Sequence, residues 1–426
     1  MASFADQSGG RRLRAAALWW AGWCAASTLV AGCAGDGDRG VKGDGVRAVA
    51  GSPGAVAGPG AVIGSAVNSD AGTGGVGLQA GAVGVRAEPW RVNGPDGREV
   101  ISGRVLRSAN VVVHTSVANE ATAAKLPVLL EAALAMHRTA LGPLPAPPGP
   151  LECYVFSDRA QWKPLAQAIL SGTTSSSTVE RIQAGGFTTG GRAFLFDIGP
   201  QRTLQLAAHE AWHQYTQRTF REPMPVWLEE GVATFMEGYR WQGDSPVFSP
   251  WANTERFDQL RAAASAERLM PLEMLLSVSP QEVLGVTDDA GVTYYAQLWA
   301  LVHWLNEGEG GRHAGALRQM VADAAMGRMS RRMTERFGLD GPSGGGGGGS
   351  GARRTLLLAA SNGTAVFREY IDRDVAGAAE GYRRFVMRLV ESNARGAIVA
   401  GRSPLAGGAE AGGAGAAGGR RAGPVR

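Results

Sequence analysis

The sequence predicts an α+β fold in which strands come first and helices follow. Short β-branched or alternating apolar runs precede Pro200, and helical periodicity dominates after it. Three tracts differ from this central part in composition, because many of the 63 glycines lie in 34–86, in 344–349 and in the C-terminal tail. Such Gly/Ala-rich chain buries too little apolar surface to offset the entropy lost on ordering. We therefore expect one domain over 101–395, with a flexible Gly-rich loop at 341–352 and a disordered tail at 396–426.

The strands and helices are predicted in chain order from local patterns. NVVVHTSV (110–117) and LECYVFS (151–157) are typical of strands, and Asn119 and Asp158 are candidate caps of the helices that follow them. RAFLFDI (192–198) alternates between glycines and predicts another strand. Further helices are predicted at 202–220, 226–238, 254–264, 293–306, 314–336 and 378–392.

The N-terminus has the pattern of an export signal. RRLR (11–14) precedes the apolar run AAALWWAGWCAASTLVA, which is followed by Gly32 and Cys33. The ending LVAGC resembles the lipobox of bacterial lipoproteins. That resemblance implies a signal peptide over 1–32, lipidation of Cys33, and an exported, membrane-anchored lipoprotein facing the periplasm or cell exterior. The alternative is an uncleaved transmembrane anchor, because 17 apolar residues approach the length of a span.

Residues 33–100 are then a disordered tether that holds the domain away from the membrane. Some 50 flexible residues have a typical end-to-end distance of roughly 40 Å. The net charge of +4 is not gathered into a basic stripe, so the sequence predicts no nucleic-acid partner. Cys153 has an apolar strand context and is expected to be a buried, inert thiol.

LAAHEAWHQY (206–215) carries the pattern with the most chemistry. His209 and His213 lie four apart and therefore on one face of a helix, where both imidazoles can reach one ion. Glu210 between them can hold a water without binding the metal. The structural alternative is an amphipathic helix that carries two surface histidines. A catalytic zinc ion needs a third protein ligand and an open position.

The segment PVWLEEGVATFMEG offers a candidate for this third ligand, Glu230, seventeen residues after His213. HExxH followed by W-L-x-E-G-x-A resembles the gluzincins, a clan of zincin-fold zinc metallopeptidases. The resemblance covers roughly 105–392 and implies that Glu230 is the third ligand of one Zn²⁺ per chain. Glu229 is expected to point to solvent. The wider pattern resembles an uncharacterised bacterial family of secreted gluzincin-like proteins.

VTYYAQLWALVHWL resembles a downstream helix of the same clan, in which a tyrosine donates a hydrogen bond to the oxyanion. Tyr295 fits that spacing, and Tyr294 is the alternative. The helix would also show its apolar stripe if it were only part of the core. His303 on this helix is expected to be a core residue.

Two departures from the clan affect the expected activity. Aminopeptidases of the clan carry a G-x-M-E-N motif, whereas GGFTTGGRAFLFDIG contains no Glu, so an aminopeptidase is not favoured. Close relatives also place an acidic residue four positions after the third ligand, where this chain has Thr234. Any hydrogen bond that supports a ligand histidine from there is expected to be weaker.

The resemblance implies a zinc-dependent peptidase, favouring an endopeptidase, that acts on a peptide or protein substrate. Glu210 would be the general base and Tyr295 would stabilise the oxyanion. RAFLFDI is the candidate edge strand for pairing with an extended substrate. The alternatives are a zincin-fold envelope protein that hydrolyses another amide, and one that only binds a partner.

Overall fold

The structure is a computed structural model, and it describes residues 76–77, 83–93, 98–170, 178–182, 185–284, 288–337, 362–391 and 393–405. The predicted signal peptide, Cys33, the Gly-rich loop 341–352 and the tail beyond 405 lie outside these residues. Within the described ranges, no helix combines the length and the apolarity needed to cross a membrane.

A six-stranded mixed sheet forms the first half of the domain. Its strands are β2 (Arg86–Asn93), β3 (Glu99–Arg107), β4 (Val111–Thr115), β5 (Leu151–Phe156), β6 (Gly186–Thr189) and β7 (Arg192–Phe196), in the spatial order β2-β3-β4-β5-β7-β6. β4, β5 and β7 run parallel, while β2, β3 and β6 pair antiparallel with their neighbours. A smaller sheet joins β1 (Val76–Gly77), β9 (Ser245–Phe248) and β8 (Tyr239–Gln242).

β6, and not the strand within RAFLFDI, lies at the edge of the large sheet. β7 is parallel to β5 on one side and antiparallel to β6 on the other. The turn between β6 and β7 contains Gly190 and Gly191, whose positive φ values of 58° and 72° favour glycine and fold β6 back against β7. The prediction that RAFLFDI forms the edge strand is therefore wrong.

Helices dominate the second half of the domain. They are α1 (Glu120–His137), α2 (Arg159–Leu170), α3 (Thr178–Arg181), α4 (Pro200–Thr219), α5 (Val226–Met236), α6 (Thr254–Ser265), α7 (Leu272–Ser277), α8 (Pro280–Leu284), α9 (Asp288–Glu307), α10 (Ala314–Met326), α11 (Met329–Phe337), α12 (Gly363–Tyr370), α13 (Val375–Leu389) and α14 (Ala394–Val399). The helix predicted at 314–336 is two helices, because Gly327 adopts φ 72° and ends α10. The predicted α+β class, with a mixed sheet followed by helices, is confirmed.

Both faces of the large sheet are covered. Alternate residues such as Val113, Cys153 and Leu195 face the main core, which they share with the long helices. Phe194 and Phe196, on the opposite face of β7, join a smaller core beneath α2. Cys153 is buried with a free thiol, as predicted.

The ordered domain extends beyond 101–395 at both ends. The predicted tether contains β2, which pairs with β3 along its length, and β3 itself begins at Glu99. At the other end, α14 crosses residue 395 and packs against α6. The composition of 34–86 does not continue into 87–101, where Trp90, Val92 and Ile101 supply apolar side chains to the sheet.

Helix α4 is the central element of the fold. It packs against β5, β6 and β7 on one side and against α1 and α5 on the other. Helix α9 in turn packs against α5 and α6. This arrangement brings together the segments that carry the sequence motifs.

Candidate metal centre

Helix α4 presents His209 and His213 one turn apart, deep inside the domain. The helix begins at Pro200, whose fixed φ suits the first helical position. His209 is 0% exposed and His213 is 1% exposed, because α4 is covered by the sheet and by helices. The alternative of two surface histidines is therefore ruled out by their burial.

Glu230 on α5 completes a compact group of three donors. Nε2 of His209 lies 3.2 Å from Nε2 of His213, and Glu230 Oε2 lies 3.5 Å and 3.6 Å from these two atoms. Tetrahedral coordination at about 2.0–2.1 Å places pairs of ligand atoms about 3.3 Å apart. The three side chains are buried and could hold one metal ion.

The chemistry of the donors also fits a metal. Glu230 Oε2 is buried and accepts no hydrogen bond from the described residues, which is costly for a carboxylate oxygen in the interior. Two imidazoles and one carboxylate suit zinc and its neighbours in the first transition row better than Mg²⁺ or Ca²⁺, which prefer oxygen ligands.

Each candidate ligand histidine is oriented by a carboxylate beside its Nδ1 atom. Nδ1 of His209 lies 2.7 Å from Glu237 Oε1, and Nδ1 of His213 lies 2.9 Å from Glu229 Oε1. When Nδ1 donates to a carboxylate, the tautomer leaves the Nε2 lone pair free for a metal. Both rings therefore present Nε2 toward Glu230.

Glu229 does not point to solvent, and that prediction is wrong. Its side chain turns inward, is largely buried, and also accepts a hydrogen bond of 2.8 Å from Thr216 Oγ1. Adjacent residues on a helix lie about 100° apart, so Glu229 and Glu230 approach the group from different directions. Glu230 faces the Nε2 atoms of both histidines, whereas Glu229 contacts the Nδ1 atom of His213.

Thr234 does not support a ligand histidine, and a different residue takes that role. Thr234 Oγ1 donates to the carbonyl of Gly231 at 2.8 Å, within its own helix. The carboxylate on His209 belongs to Glu237, which caps the C-terminus of α5 seven residues after Glu230. Seven residues are two helical turns, so this spacing was a signal available in the sequence.

Glu237 is itself held by a buried arginine. Arg256 donates from Nη2 to Glu237 Oε1 at 2.8 Å and from Nε to Oε2 at 3.0 Å. Asn253 Nδ2 donates to the same Oε2 at 2.8 Å. Burial alone would raise the pKa of the Glu237 carboxyl, but Arg256 and His209 lower it to about 2. Nothing in the local sequence pattern pointed to Arg256.

The charges of the three candidate ligands are strongly coupled. Burial would raise the pKa of the Glu230 carboxyl, but the neighbouring histidines lower it to about 2. Burial would lower the pKa of His213, and the carboxylates of Glu230 and Glu229 raise it instead. The pKa of His209 is raised in the same way by Glu230 and Glu237. A cation is therefore electrostatically favoured at this point in the interior.

Glu210 lies beside this group without forming part of it. Its side chain is 0% exposed, and burial raises the pKa of its carboxyl, with the two histidines acting in the opposite direction. Its Oε2 accepts a hydrogen bond of 2.5 Å from Thr188 Oγ1 on β6, whereas its Oε1 is buried and has no hydrogen-bond partner among the described residues. The sequence did not single out Thr188.

Of the two candidate tyrosines, Tyr295 lies beside a ligand ring. Its ring centroid is 6.1 Å from that of His209, and the Arg256 guanidinium lies 5.4 Å from it. The Tyr294 hydroxyl donates instead to the carbonyl of Val278 at 3.1 Å. The geometry favours Tyr295 as the residue that faces the site.

The other described histidines do not join the group. His303 is a core residue as predicted, since it is buried and its ring stacks on Trp251 at 3.6 Å. Burial lowers the pKa of His137 to about 3 and that of His114 to about 4. His313 contacts Trp304.

Comparison with protein families gives a match over part of the chain. The family model described as "Protein of unknown function (DUF1570)" matches residues 204–323. This range contains the three candidate ligands together with Glu210, Glu237, Arg256 and Tyr295, whereas Thr188 lies before its first residue. No curated protein and no solved structure matches the chain.

Proposed function

We propose that the chain is a zinc-dependent peptidase of the zincin type, acting as an endopeptidase on peptide or protein substrates. The observation that carries this proposal is the buried triangle of His209, His213 and Glu230 with Glu210 beside it. A triangle alone would fit a structural metal. A fourth, acidic group next to the ligands, with a pKa raised by burial, is what a hydrolytic site requires.

His209, His213 and Glu230 would hold the ion, which supplies the Lewis acidity that polarises a carbonyl and makes water acidic at neutral pH. Glu210 accepts a proton from the attacking water and passes it to the leaving nitrogen. Burial raises the pKa of its carboxyl, which favours proton uptake and so suits the role of general base. Tyr295 donates a hydrogen bond to the carbonyl oxygen as negative charge develops on it.

β6 is the strand that an extended substrate would pair with. In the described sheet it has β7 on one side only, and it contacts the base through Thr188. Main-chain hydrogen bonds to such an edge give affinity with little dependence on side chains. The absence of a Glu from GGFTTGGRAFLFDIG supports internal cleavage over removal of single N-terminal residues.

We also propose that Cys33 carries lipid and anchors the domain outside the cytoplasmic membrane. The proposal rests on RRLR, the apolar run and LVAGC. Cys33→Ser should abolish incorporation of labelled fatty acid and release the protein from membranes. A variant that keeps its lipid label, or stays in the membrane fraction, would contradict the anchor.

The experiment compares the full chain with Glu210→Gln and Glu230→Ala. Metal content is measured by mass spectrometry, and turnover is measured on a peptide library with free or acetylated N-termini. We expect about one zinc per chain in the wild type and in Glu210→Gln. Only the wild type should show turnover, at equal rates on the library with free N-termini and the library with acetylated N-termini. Glu230→Ala should lose most of its zinc, because one of three ligands is removed.

The results separate the alternatives. Turnover by Glu210→Gln near the wild-type rate would contradict the general-base role. A zinc-loaded wild type that cleaves neither library would favour a protein that binds a partner or hydrolyses another amide. Cleavage restricted to free N-termini would make the enzyme an aminopeptidase.

A further inference from the structure

A buried threonine on the edge strand contacts the carboxylate of Glu210. Thr188 is 0% exposed, and its Oγ1 lies 2.5 Å from Glu210 Oε2. The same hydroxyl lies 3.4 Å from the backbone carbonyl oxygen of Glu210. A hydroxyl has one proton to donate. The hydroxyl donates this proton to Glu210 Oε2, because that contact is the shorter one and hydrogen bonds to an ionisable carboxylate are stronger than those to a backbone carbonyl.

This hydrogen bond makes the two carboxylate oxygens of Glu210 unequal. Oε2 accepts the hydrogen bond from Thr188, whereas Oε1 is buried and has no partner within the part of the chain that the structure describes. An unsatisfied carboxylate oxygen in the interior costs free energy. The Glu210 side chain would therefore rotate to bring Oε1 to a hydrogen-bond donor unless a contact held it in place. The Thr188 hydroxyl is a contact that prevents it.

We propose that Thr188 is a positioning residue, whose hydroxyl holds the Glu210 carboxylate so that Oε1 stays available to accept a proton. The inference rests on the proposed role of Glu210 as the general base. It adds a residue that lies outside α4, α5 and α9 and outside the motifs that identify the candidate ligands.

Strand β6 holds the Thr188 hydroxyl in a fixed position. β6 is tied to β7 through the glycine turn, and a Cβ on Gly186 would come within 2.5 Å of Leu195, so the two strands approach closely there. Thr188 is also β-branched, which restricts its χ1 rotamer. A base that acts in proton transfer must be held close to its productive geometry, and rigid elements do this better than loops.

Thr189 provides a matched control on the same strand. Successive side chains of a strand point to opposite faces of the sheet, so Thr189 faces away from α4 and is partly exposed. Thr189→Val has the same change in composition and β-propensity as Thr188→Val but does not remove a donor from Glu210.

The experiment uses the zinc-loaded full chain and compares T188V, T188S and T189V. Valine has the shape of threonine without the donor, and serine keeps the donor. We expect the kcat of T188V to fall about tenfold or more, because general-base catalysis contributes about 10²–10⁴-fold, with KM within about twofold and zinc content unchanged. T188S should recover most of the wild-type kcat. T189V should lower kcat much less than T188V, because it leaves the Thr188 hydroxyl in place. A T188V enzyme with wild-type kcat would overturn the proposal, as would a loss that T188S does not rescue.

Crystal structures of the wild type, T188V and T188S supply a readout that needs no substrate. We expect the Glu210 carboxylate to rotate in T188V and to keep its wild-type orientation in T188S. An unrotated carboxylate in T188V would overturn the positioning role even if no peptide is ever cleaved. Conversely, rotation in T188V together with an inactive wild type would leave the positioning role standing and count against the peptidase alone.

Discussion

At the level of single residues, Glu237 is the carboxylate that orients the candidate ligand His209. It contacts His209 on one side and Arg256 on the other, in a fully buried position. Glu237→Gln keeps the shape and removes the charge. We expect zinc affinity to fall about tenfold, at the lower end of the range for such partners, and stability to fall by about 3–5 kcal/mol because Arg256 is left buried without its counter-ion. Chelator competition and chemical denaturation measure the two effects.

A double variant separates the two consequences of losing Glu237. Glu237→Gln combined with Arg256→Met removes the unpaired charge, so stability should recover while zinc affinity stays low. If the single variant binds zinc as tightly as the wild type, His209 does not depend on this carboxylate for its orientation.

Tyr295 and its neighbour Tyr294 form a natural pair for testing the oxyanion donor. Only Tyr295 lies beside the His209 ring, whereas the Tyr294 hydroxyl is engaged with Val278. Tyr295→Phe should lower kcat about 10²-fold or more, the typical cost of removing one oxyanion donor, with zinc content unchanged. Tyr294→Phe should change kcat little. Steady-state kinetics that show the reverse pattern would assign the role to Tyr294.

At the level of single residues, the sequence predicted the groups that a motif defines and missed those that only the fold brings close. His209, Glu210 and His213 lie within one turn of each other, so spacing alone brings them together. Glu229 was misplaced because its orientation depends on the packing of α5 against α4. Arg256 and Thr188 lie on other elements, and no local pattern relates them to the site.

At the level of elements, the close approach of α5 to α9 depends on Gly231, the residue after Glu230. A Cβ at that position would lie 2.9 Å from Val302 Cγ2 and 3.3 Å from the Leu298 carbonyl oxygen. Gly231→Ala therefore requires the Val302 side chain or the backbone of α9 to shift, and these two helices carry Glu230 and Tyr295. We expect a loss of about 1–3 kcal/mol in stability, together with weaker zinc binding.

Gly315 on α10 is the control for this substitution. A Cβ there would meet nothing within 4 Å, so Gly315→Ala should be neutral or stabilise by up to about 1 kcal/mol. Denaturation curves and zinc titrations of the two variants make the comparison. Equal stability of Gly231→Ala and the wild type would mean that α5 and α9 can separate without cost.

The helices were easier to predict than the sheet, for a physical reason. Helical periodicity and capping residues such as Asn119 are local, and α1 begins where that cap predicts. The order of strands is set by which edges meet in three dimensions. β6 precedes β7 in the chain but lies outside it in the sheet, and alternation of side chains contains no information about that order.

At the level of the whole molecule, the limits of the folding unit are wider than composition indicated. A fragment over 101–395 would lose β2 and the start of β3, and it would cut α14, which packs against α6, the helix of Arg256. We expect residues 83–405 to unfold cooperatively at a higher temperature than 101–395. Calorimetry of the two fragments beside the full chain checks this. Equal melting temperatures would show that these end elements contribute little.

Metal binding should be linked to the stability of the entire domain, since its ligands come from two helices at the centre of the core. His209 and His213 lie on α4 and Glu230 on α5, and all three are buried. An ion that binds only the folded state stabilises it by about 4 kcal/mol at a thousandfold excess over its Kd, which raises Tm by several degrees in a domain of this size. Scanning calorimetry with and without zinc should therefore show a large increase for the wild type and for Glu210→Gln, which keeps all three ligands. Glu230→Gln should respond much less. An equal response from Glu230→Gln would place the bound zinc elsewhere, and no response from the wild type would mean that the buried triangle binds no zinc.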